Sequence, residues 1–354
     1  MDIQCSVVLH TADRDGSCMA EDEEGASAVR RLHIVPGLDE QWNGMAVAAK
    51  MIASEQAAAI VDAGSRYNAM LVTVDEVWVH SLWTFRIWRA CWNVLWYRKR
   101  LVRMLHGNVD PVRLAYHGWK KRLVGAIERF FLRRADVVVA TCAAEAEWIR
   151  AYEPRVKKIE ITDIKRFFNL DRAERVEDMD SFNAEMQRRR DTELHLLYLG
   201  RRHPLKGLEY LEEAVKSLEF RVQSSESKAC SGNSQLTAHN SQLELRVVSN
   251  AFGDEKEKVW EWCDVLVLPT LSENFGLVVA EALERGKRVI TTDGAPAWGS
   301  ECKMESVKCK AGEGGIWSGY GGRLLYIKGY RNGSNDVRVE SLRRAIEWVA
   351  KGER

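Results

Sequence analysis

Long apolar runs are missing from this 354-residue chain. No stretch approaches the roughly 20 consecutive apolar residues that cross a bilayer as a helix. The opening residues, MDIQCSVVLHTADRDG, lack the basic start and apolar core of a secretory signal. Paired cysteines are missing too. The eight cysteines (Cys5, Cys18, Cys91, Cys142, Cys230, Cys263, Cys302, Cys309) are scattered, none in a C-x-x-C pair, which argues against structural zinc and dithiol redox chemistry. Free thiols in a reducing cytosol are expected instead. Charge of one sign is also missing: the net charge of +1 excludes a strongly basic or acidic protein overall and leaves only local patches. After the first predicted strand, VPGLDEQWNG lacks the G-x-G-x-x-G fingerprint, which counts against a dinucleotide-dependent enzyme.

What is present reads as a globular α/β chain. An apolar content of 46% is ordinary for a soluble protein, and the length accommodates two domains. Residues 1–29, acidic around EDEEG, are expected to be a poorly ordered leader. From Leu32 strands and helices alternate. LHIVPG reads as a strand, NGMAVAAKMIASEQAAAIV as one alanine-rich helix, VDEVWVHS as a strand and FRIWRACWNVLWYRKR as a helix. LVRMLHG, WKKRLVGAIERFFLRRA, VVVAT, AAEAEWIRAY and KKIEIT continue the alternation. This pattern predicts a parallel sheet covered on both faces. Residues 30–162 are therefore read as one doubly wound domain and the charged residues 163–192 as a linker. The alternation restarts at LHLLYLG. KGLEYLEEAVKSL carries Leu208, Leu211, Val215 and Leu218 on one helix face, and the serine-rich residues 222–242 read as a surface loop. Residues 193–354 make a second α/β domain, with a cleft expected between the two.

One segment of the second domain concentrates the chemistry. LPTLSENFGLVVAEALERGKRVITTDG (268–294) reads as strand, polar turn, helix, glycine stop and strand, with Glu273 in the turn and Glu281 on the helix. Pro269 closes the strand, Ser272 or Glu273 occupies the expected N-cap, and Gly286 ends the helix. The N–H groups of Asn274, Phe275, Gly276 and Leu277 would then form an anion site at the carboxyl end of the strand. Glu281 lies roughly 9 Å further along the axis, at 1.5 Å per residue. A phosphate at the helix terminus would leave a ribose near Glu281 and a transferred group near Glu273. By spacing alone, the alternative of a solvated stripe of Glu281, Glu284, Arg285 and Arg288 is favoured.

The same segment resembles the E-x₇-E motif of retaining glycosyltransferases of family 4, which have the GT-B architecture of two facing Rossmann-like domains. GRRHPLKGLEYLEEA (200–214) is similar to the family's G-R-x-x-x-x-K-G segment, LHGNVDP (105–111) to its histidine-glycine loop, VWVHSLW (77–83) to the strand before that loop, and RRADVVVATCAAEAEWI (133–149) to the end of its first domain. The resemblance spans about residues 32–298. It implies that Arg201 and Lys206 grip a donor diphosphate, Glu273 lies beside the donor sugar, Glu281 binds the ribose, and backbone amides at Asn274, Phe275 and Gly276 serve the phosphate or sugar. Gly44 matches one glycine of the first domain's turn, where Asn43 replaces the usual second. His106 matches the histidine over the reacting sugar; by itself a lone histidine after a strand is more often packed or surface-exposed. The implied reaction is retaining transfer from a nucleotide-sugar, UDP- or GDP-linked, with no other cofactor. The family needs no divalent metal, and no DxD-type pair stands in a convincing turn here. The usual proline-asparagine-glycine turn before the linker is absent, and the residues after Trp298, including the Gly-rich segment 311–333, do not match the family's ending.

Residues 83–134 are basic and rich in tryptophan, with Asp110 and Glu128 the only acids. Trp88, Trp92 and Trp96 recur every fourth residue and share a helix face. The reading of that face as core, with the arginines as its wet side, is slightly favoured. The other reading is contact with an anionic membrane and a glycan or glycolipid acceptor, at the inner face of the membrane of a cytoplasmic protein. Nucleic-acid binding has no supporting motif. The expected role is sugar transfer in cell-envelope polysaccharide or lipopolysaccharide assembly. The alternative is a non-catalytic GT-B-like scaffold that binds a membrane or partner, against which Arg201, Lys206, Glu273 and Glu281 all argue.

Overall fold

Unbroken apolar runs such as Val137–Ala140 (VVVA) and Val265–Leu268 (VLVL) are buried along their whole length, as strands covered on both faces must be. They lie in two separate sheets of a computed structural model that describes residues 29–40, 43–117, 119–174, 193–228, 242–249, 251–304 and 315–351. The first sheet contains β1 (Arg31–Val35), β2 (Ala59–Asp62), β3 (Glu76–His80), β4 (Arg100–Met104), β5 (Val137–Ala140) and β6 (Ile159–Ile161). Its order is β2-β1-β3-β4-β5-β6, and every pairing is parallel. The helices α1 (Gly44–Glu55), α2 (Asn68–Thr73), α3 (Phe85–Trp96), α4 (Pro111–His117), α5 (Trp119–Arg134) and α6 (Ala143–Tyr152) connect these strands.

The second sheet is built from β7 (Glu193–Leu199), β8 (Gln242–Val248), β9 (Val265–Leu268), β10 (Arg288–Thr292), β11 (Lys303–Met304), β12 (Ile316–Gly319) and β13 (Leu324–Ile327). Its order is β11-β12-β13-β10-β9-β7-β8, parallel except at the β11-β12-β13 edge. A short helix α7 (Asp171–Glu174) precedes it, and α8 (Leu208–Lys228), α9 (Gly253–Trp262), α10 (Leu277–Glu284) and α11 (Asn335–Lys351) complete the unit. Buried Leu342, Ile346 and Val349 of α11 share one core with Leu211, Val215 and Ile290, so the last helix stays with the second sheet.

Several local expectations are corrected. The alanine-rich run is not one helix: α1 stops at Glu55, Ala57 turns with φ +49°, and Ala59–Asp62 joins the sheet edge as β2. Helix propensity favours alanine, but pairing with β1 satisfies the backbone of AIVD and wins. The described start of the charged linker is packed. Ile164 and Ala173 are fully buried, Phe168 stacks on Phe275, and the Asn169 N–H donates to Glu284. The serine-rich loop begins later than expected because α8 runs on to Lys228, and residues 229–241 lie outside the described residues. So do residues 1–28 and 175–192. Tyr320–Gly322 of GYGG form the turn between antiparallel β12 and β13. Arg103, one of the arginines expected on the wet side, is fully buried with Glu128 in a pair 3.5 Å apart, and Glu128 also accepts from the Trp88 indole at 2.5 Å.

The tryptophan face of α3 is not core. Ile87, Ala90, Cys91 and Val94 take the buried side. Trp88 is half-buried, but Trp92 and Trp96 are 54% and 75% exposed, and Phe85 is 75% exposed on the same stripe. Positions 85, 89, 92 and 96 follow helical spacing, so the stripe is three aromatics with Arg89 among them.

Candidate donor site between the sheets

Residues just past the carboxyl ends of strands from both sheets line a single cavity of about 390 Å³. All ten candidate residues are there: Gly44 and His106 from the first unit, and Arg201, Lys206, Glu273, Asn274, Phe275, Gly276, Leu277 and Glu281 from the second. Open α/β sheets bind ligands at this edge because helix N-termini and loops converge there.

Two helix N-termini meet in the cavity. Asn43 and Gly44 open α1, with the Asn43 side chain donating to the carbonyls of Pro36 and Gly37 at 3.0 and 3.2 Å. α10 opens at Leu277, and a Cβ built on Gly44 would lie 3.4 Å from its Cδ1. The first N–H groups of each helix have no intrahelical partner, and both dipoles favour negative charge at this point. The N-cap of α10 is Gly276, not Ser272 or Glu273 as expected. Its φ of +72° is readily available only to glycine, and it carries the loop one residue-turn further before the helix starts. Ser272 is instead buried and donates to Asp110 Oδ2 at 2.5 Å. Gly286, with φ +70°, follows the C-cap Arg285 and ends the helix as expected.

The two motif glutamates face different partners. Glu273 Oε2 pairs with Lys206 Nζ, and its Oε1 accepts from the Asn274 N–H at 3.2 Å. Burial pushes the Glu273 carboxyl up, but Lys206, Arg113 and the Asn274 amide together hold it below the usual range, so it is ionised at neutral pH. Glu281 forms an ion pair with Lys256 of α9, Nζ to Oε2 at 2.6 Å. The solvated stripe favoured by spacing is not formed: Glu281 is partly buried in the cavity wall, and Arg288 lies buried in β10.

His106 is 9% exposed and adopts φ +52° beside Gly107 at +71°. The loop is pinned by the Gly107 N–H donating to buried Glu145 at 2.5 Å. Behind His106 runs a file of imidazoles: its Nε2 lies 2.9 Å from His80 Nδ1, and His80 Nε2 lies 2.9 Å from His33 Nδ1. Burial lowers all three, His33 to about 4 and His106 to about 3, so each ring is neutral.

Several cavity residues carried no signal that sequence reasoning used. Lys256 and Arg113 add cations to Arg201 and Lys206, and Asn108, Thr141, Ser249 and Phe252 add polar and aromatic wall. Ser249, Phe252 and Lys256 follow β8 at its carboxyl end, so the rule that ligands bind at that edge could have found them. Among the described residues no group of three or more His, Cys, Asp or Glu side chains is arranged to hold a metal ion.

Residues 4–162 match the family model of the glycosyl transferase 4-like domain, and residues 193–303 match that of glycosyl transferases group 1. The chain belongs to the group 1 glycosyltransferases. Solved structures show that its fold is GT-B. Anabaena HepE in complex with UDP aligns at TM-score 0.51 and 13% identity over 92% of each chain. Sucrose-phosphate synthase from Thermosynechococcus elongatus aligns at 0.53 and 14% over 90% of each. The catalytic domain of starch synthase IV from Arabidopsis thaliana, bound to ADP and acarbose, aligns at 0.53 and 9% over 92% of each. Among curated proteins, this glycosyltransferase is 28% identical over 178 residues to an uncharacterized 41.2 kDa protein in the cps region of Klebsiella pneumoniae. That match spans 49% of this chain and 48% of the relative.

Proposed function

We propose that this glycosyltransferase moves a sugar from a UDP- or GDP-linked donor, with retention at the anomeric carbon, to a glycan or lipid-linked acceptor of the cell envelope. The observation that carries the reading is the convergence of Arg201, Lys206, Glu273 and Glu281 with the N-termini of α1 and α10 on one cavity. A diphosphate between the two helix termini would receive Arg201 and Lys206, which stabilise leaving-group charge without a divalent cation. Glu281 would accept from ribose hydroxyls. Glu273, ionised, would face the sugar as its positive charge develops. The leaving phosphate would take the acceptor's proton on the face where the new bond forms. The UDP of HepE and the ADP of starch synthase IV support a nucleoside diphosphate as the ligand class. The relative in a cps region supports polysaccharide assembly.

The decisive experiment is thermal stabilisation by a panel of UDP-, GDP-, ADP- and CMP-sugars. One nucleotide is expected to raise the melting temperature, and Lys206→Ala and Glu281→Ala are each expected to lose the shift. Losing one hydrogen bond to a charged partner costs about 1.5–3 kcal/mol, a ten- to hundredfold loss of affinity. No shift with any nucleotide would favour a non-catalytic scaffold.

The exposed aromatic stripe of α3 supports an acceptor held at a membrane. Phe85, Trp92 and Trp96 with Arg86, Arg89 and Arg98 combine interfacial aromatics with cations, as a peripheral contact on an anionic leaflet requires. In sedimentation with vesicles containing phosphatidylglycerol, Trp92→Ala with Trp96→Ala is expected to release the protein to the supernatant. Equal binding of variant and parent would remove the stripe from this reading.

A further inference from the structure

Three adjacent strands of the first sheet each contribute one histidine to the same face. His33 stands within β1, His80 is the last residue of β3, and His106 follows β4 by two residues. The register pairs His33 with Trp78 and His80 with Met104, so each histidine lies two residues nearer the carboxyl edge than its neighbour. The rings are stacked at 5.1 and 5.2 Å between centroids, and Trp78 closes the far end over His33 at 5.1 Å. His33 and His80 are wholly buried. The file starts at Gln56, the C-cap of α1, whose Oε1 lies 3.0 Å from His33 Nε2. It ends at the cavity, and among the described residues nothing else takes His106 Nδ1.

A neutral imidazole carries one N–H and one bare nitrogen, so a file of them has only two self-consistent arrangements. The carbonyl oxygen of Gln56 selects one. It accepts from His33 Nε2–H. The bare His33 Nδ1 then accepts from His80 Nε2–H, and the bare His80 Nδ1 accepts from His106 Nε2–H. His106 is left with an unprotonated Nδ1. Apolar residues would fill these interior positions at little cost, because a hydrogen-bonded pair replaced on both sides by apolar groups is nearly neutral. What apolar residues cannot do is transmit an orientation to the cavity.

We infer that His33, His80 and Gln56 are positioning residues that fix the tautomer of His106, leaving its Nδ1 lone pair to accept from a hydroxyl of the transferred sugar. The inference rests on the reading that the donor sugar lies at His106. It deepens that reading by giving the sugar class: the group facing His106 is a hydroxyl, which donates, and not a carboxylate, whose oxygens would meet a lone pair.

The test reads the tautomer in the free, full-length protein. Ring nitrogens of ¹⁵N-histidine-labelled protein distinguish N–H from bare nitrogen in long-range ¹H–¹⁵N correlation spectra at pH 7.5. His33, His80 and His106 are expected as Nε2–H tautomers, identified by loss of one signal set in each single variant. Gln56→Glu, which still accepts, is expected to preserve the pattern. Gln56→Met, at a half-buried position that tolerates it, is expected to give mixed tautomers at His106. An Nδ1–H tautomer at His106, or a His106 signal indifferent to Gln56→Met, would overturn the inference. Both results are independent of any donor. In the donor panel, Gln56→Met is expected to keep the response to the bare nucleoside diphosphate and to lose about tenfold in affinity for the nucleotide-sugar, one hydrogen bond's worth. Equal losses for both ligands would also overturn it. No response to either ligand in the parent protein would count against the donor site itself.

Discussion

Burying three imidazoles without charge gives this protein an acid sensitivity of calculable sign. An unfolded histidine takes a proton near pH 6.5, whereas folded His33 and His106 resist until about 4 and 3, and His80 resists as well. Below pH 6.5 the unfolded state therefore binds protons that the native state refuses. The stability supplied by the neutral rings is complete above 6.5 and is lost as pH falls toward 4, by up to about 1.4 kcal/mol per pH unit for each histidine. Glu145 and Asp293, which burial holds above their usual values, act in the opposite direction, while His203, which burial also lowers, acts with the three. Urea unfolding at pH 7.5, 6.0 and 5.0 is expected to show a falling midpoint with an unchanged slope; a flat midpoint would mean the file is protonated in the native state. At this scale much of the site was legible. Glu273 and Glu281 sit in a motif, and Arg201 and Lys206 sit at fixed distances after a strand, so short sequence separation exposes them. Lys256 reaches Glu281 from a different helix, and His33 meets His80 only because β1 and β3 are neighbours. Such pairings depend on strand order, which no local pattern carries.

At the scale of elements, the close approach of loops sets what glycine must do. Gly107 holds φ +71° next to His106 at +52°, and a Cβ there would lie 2.8 Å from the Asn274 Cβ across the cleft. Gly107→Ala therefore meets two penalties: about 1–2 kcal/mol for a left-handed L-residue, and displacement of the Asn274 loop that carries the α10 N-terminus. A melting temperature lower by several degrees is expected, together with a weakened response to the donor in the thermal panel. Normal donor binding in a destabilised variant would show that the loop yields without moving α10. The periodic helices and apolar strands were legible because burial writes itself into their patterns; AAEAEWIRAY forms α6 over its full length. The elements misread are those where tertiary pairing overrode composition. β2 emerged from an alanine-rich run because β1 offered it hydrogen bonds, and α10 began late because a left-handed Gly276 lengthened the preceding turn. The face of α3 was misread for the opposite reason, since helical spacing shows which residues share a face but not whether that face is covered.

At the scale of the molecule, the two units are fastened at the rim of the cleft by groups that sequence patterns do not mark. Asp110, 1% exposed, accepts from Ser272 Oγ at 2.5 Å and pairs with Arg331, which follows β13 in the second unit. The Arg331 guanidinium also lies 5.0 Å over the Trp148 ring of α6, and its backbone N–H donates to Asp293 at 2.7 Å. Thr141 Oγ1 donates to Asn274 Oδ1 at 2.9 Å, a second polar link beside the site. Removing the guanidinium would leave the buried Asp110 carboxylate with only the Ser272 hydroxyl and the Val112 N–H, and breaking a buried ion pair costs about 3–5 kcal/mol. The closed arrangement can avoid that cost by opening and letting water reach Asp110. Arg331→Ala is therefore expected to enlarge the radius of gyration in small-angle X-ray scattering of the ligand-free protein. It is also expected to weaken the donor by roughly tenfold or more, because part of the binding energy then goes into closure. Arg331 does not line the cavity, so such a loss would act through closure rather than through a lost contact. An unchanged radius and unchanged affinity would instead assign the closed state to the packing of Phe168 on Phe275 and of Ile164 in the shared core, where the chain crosses between the units.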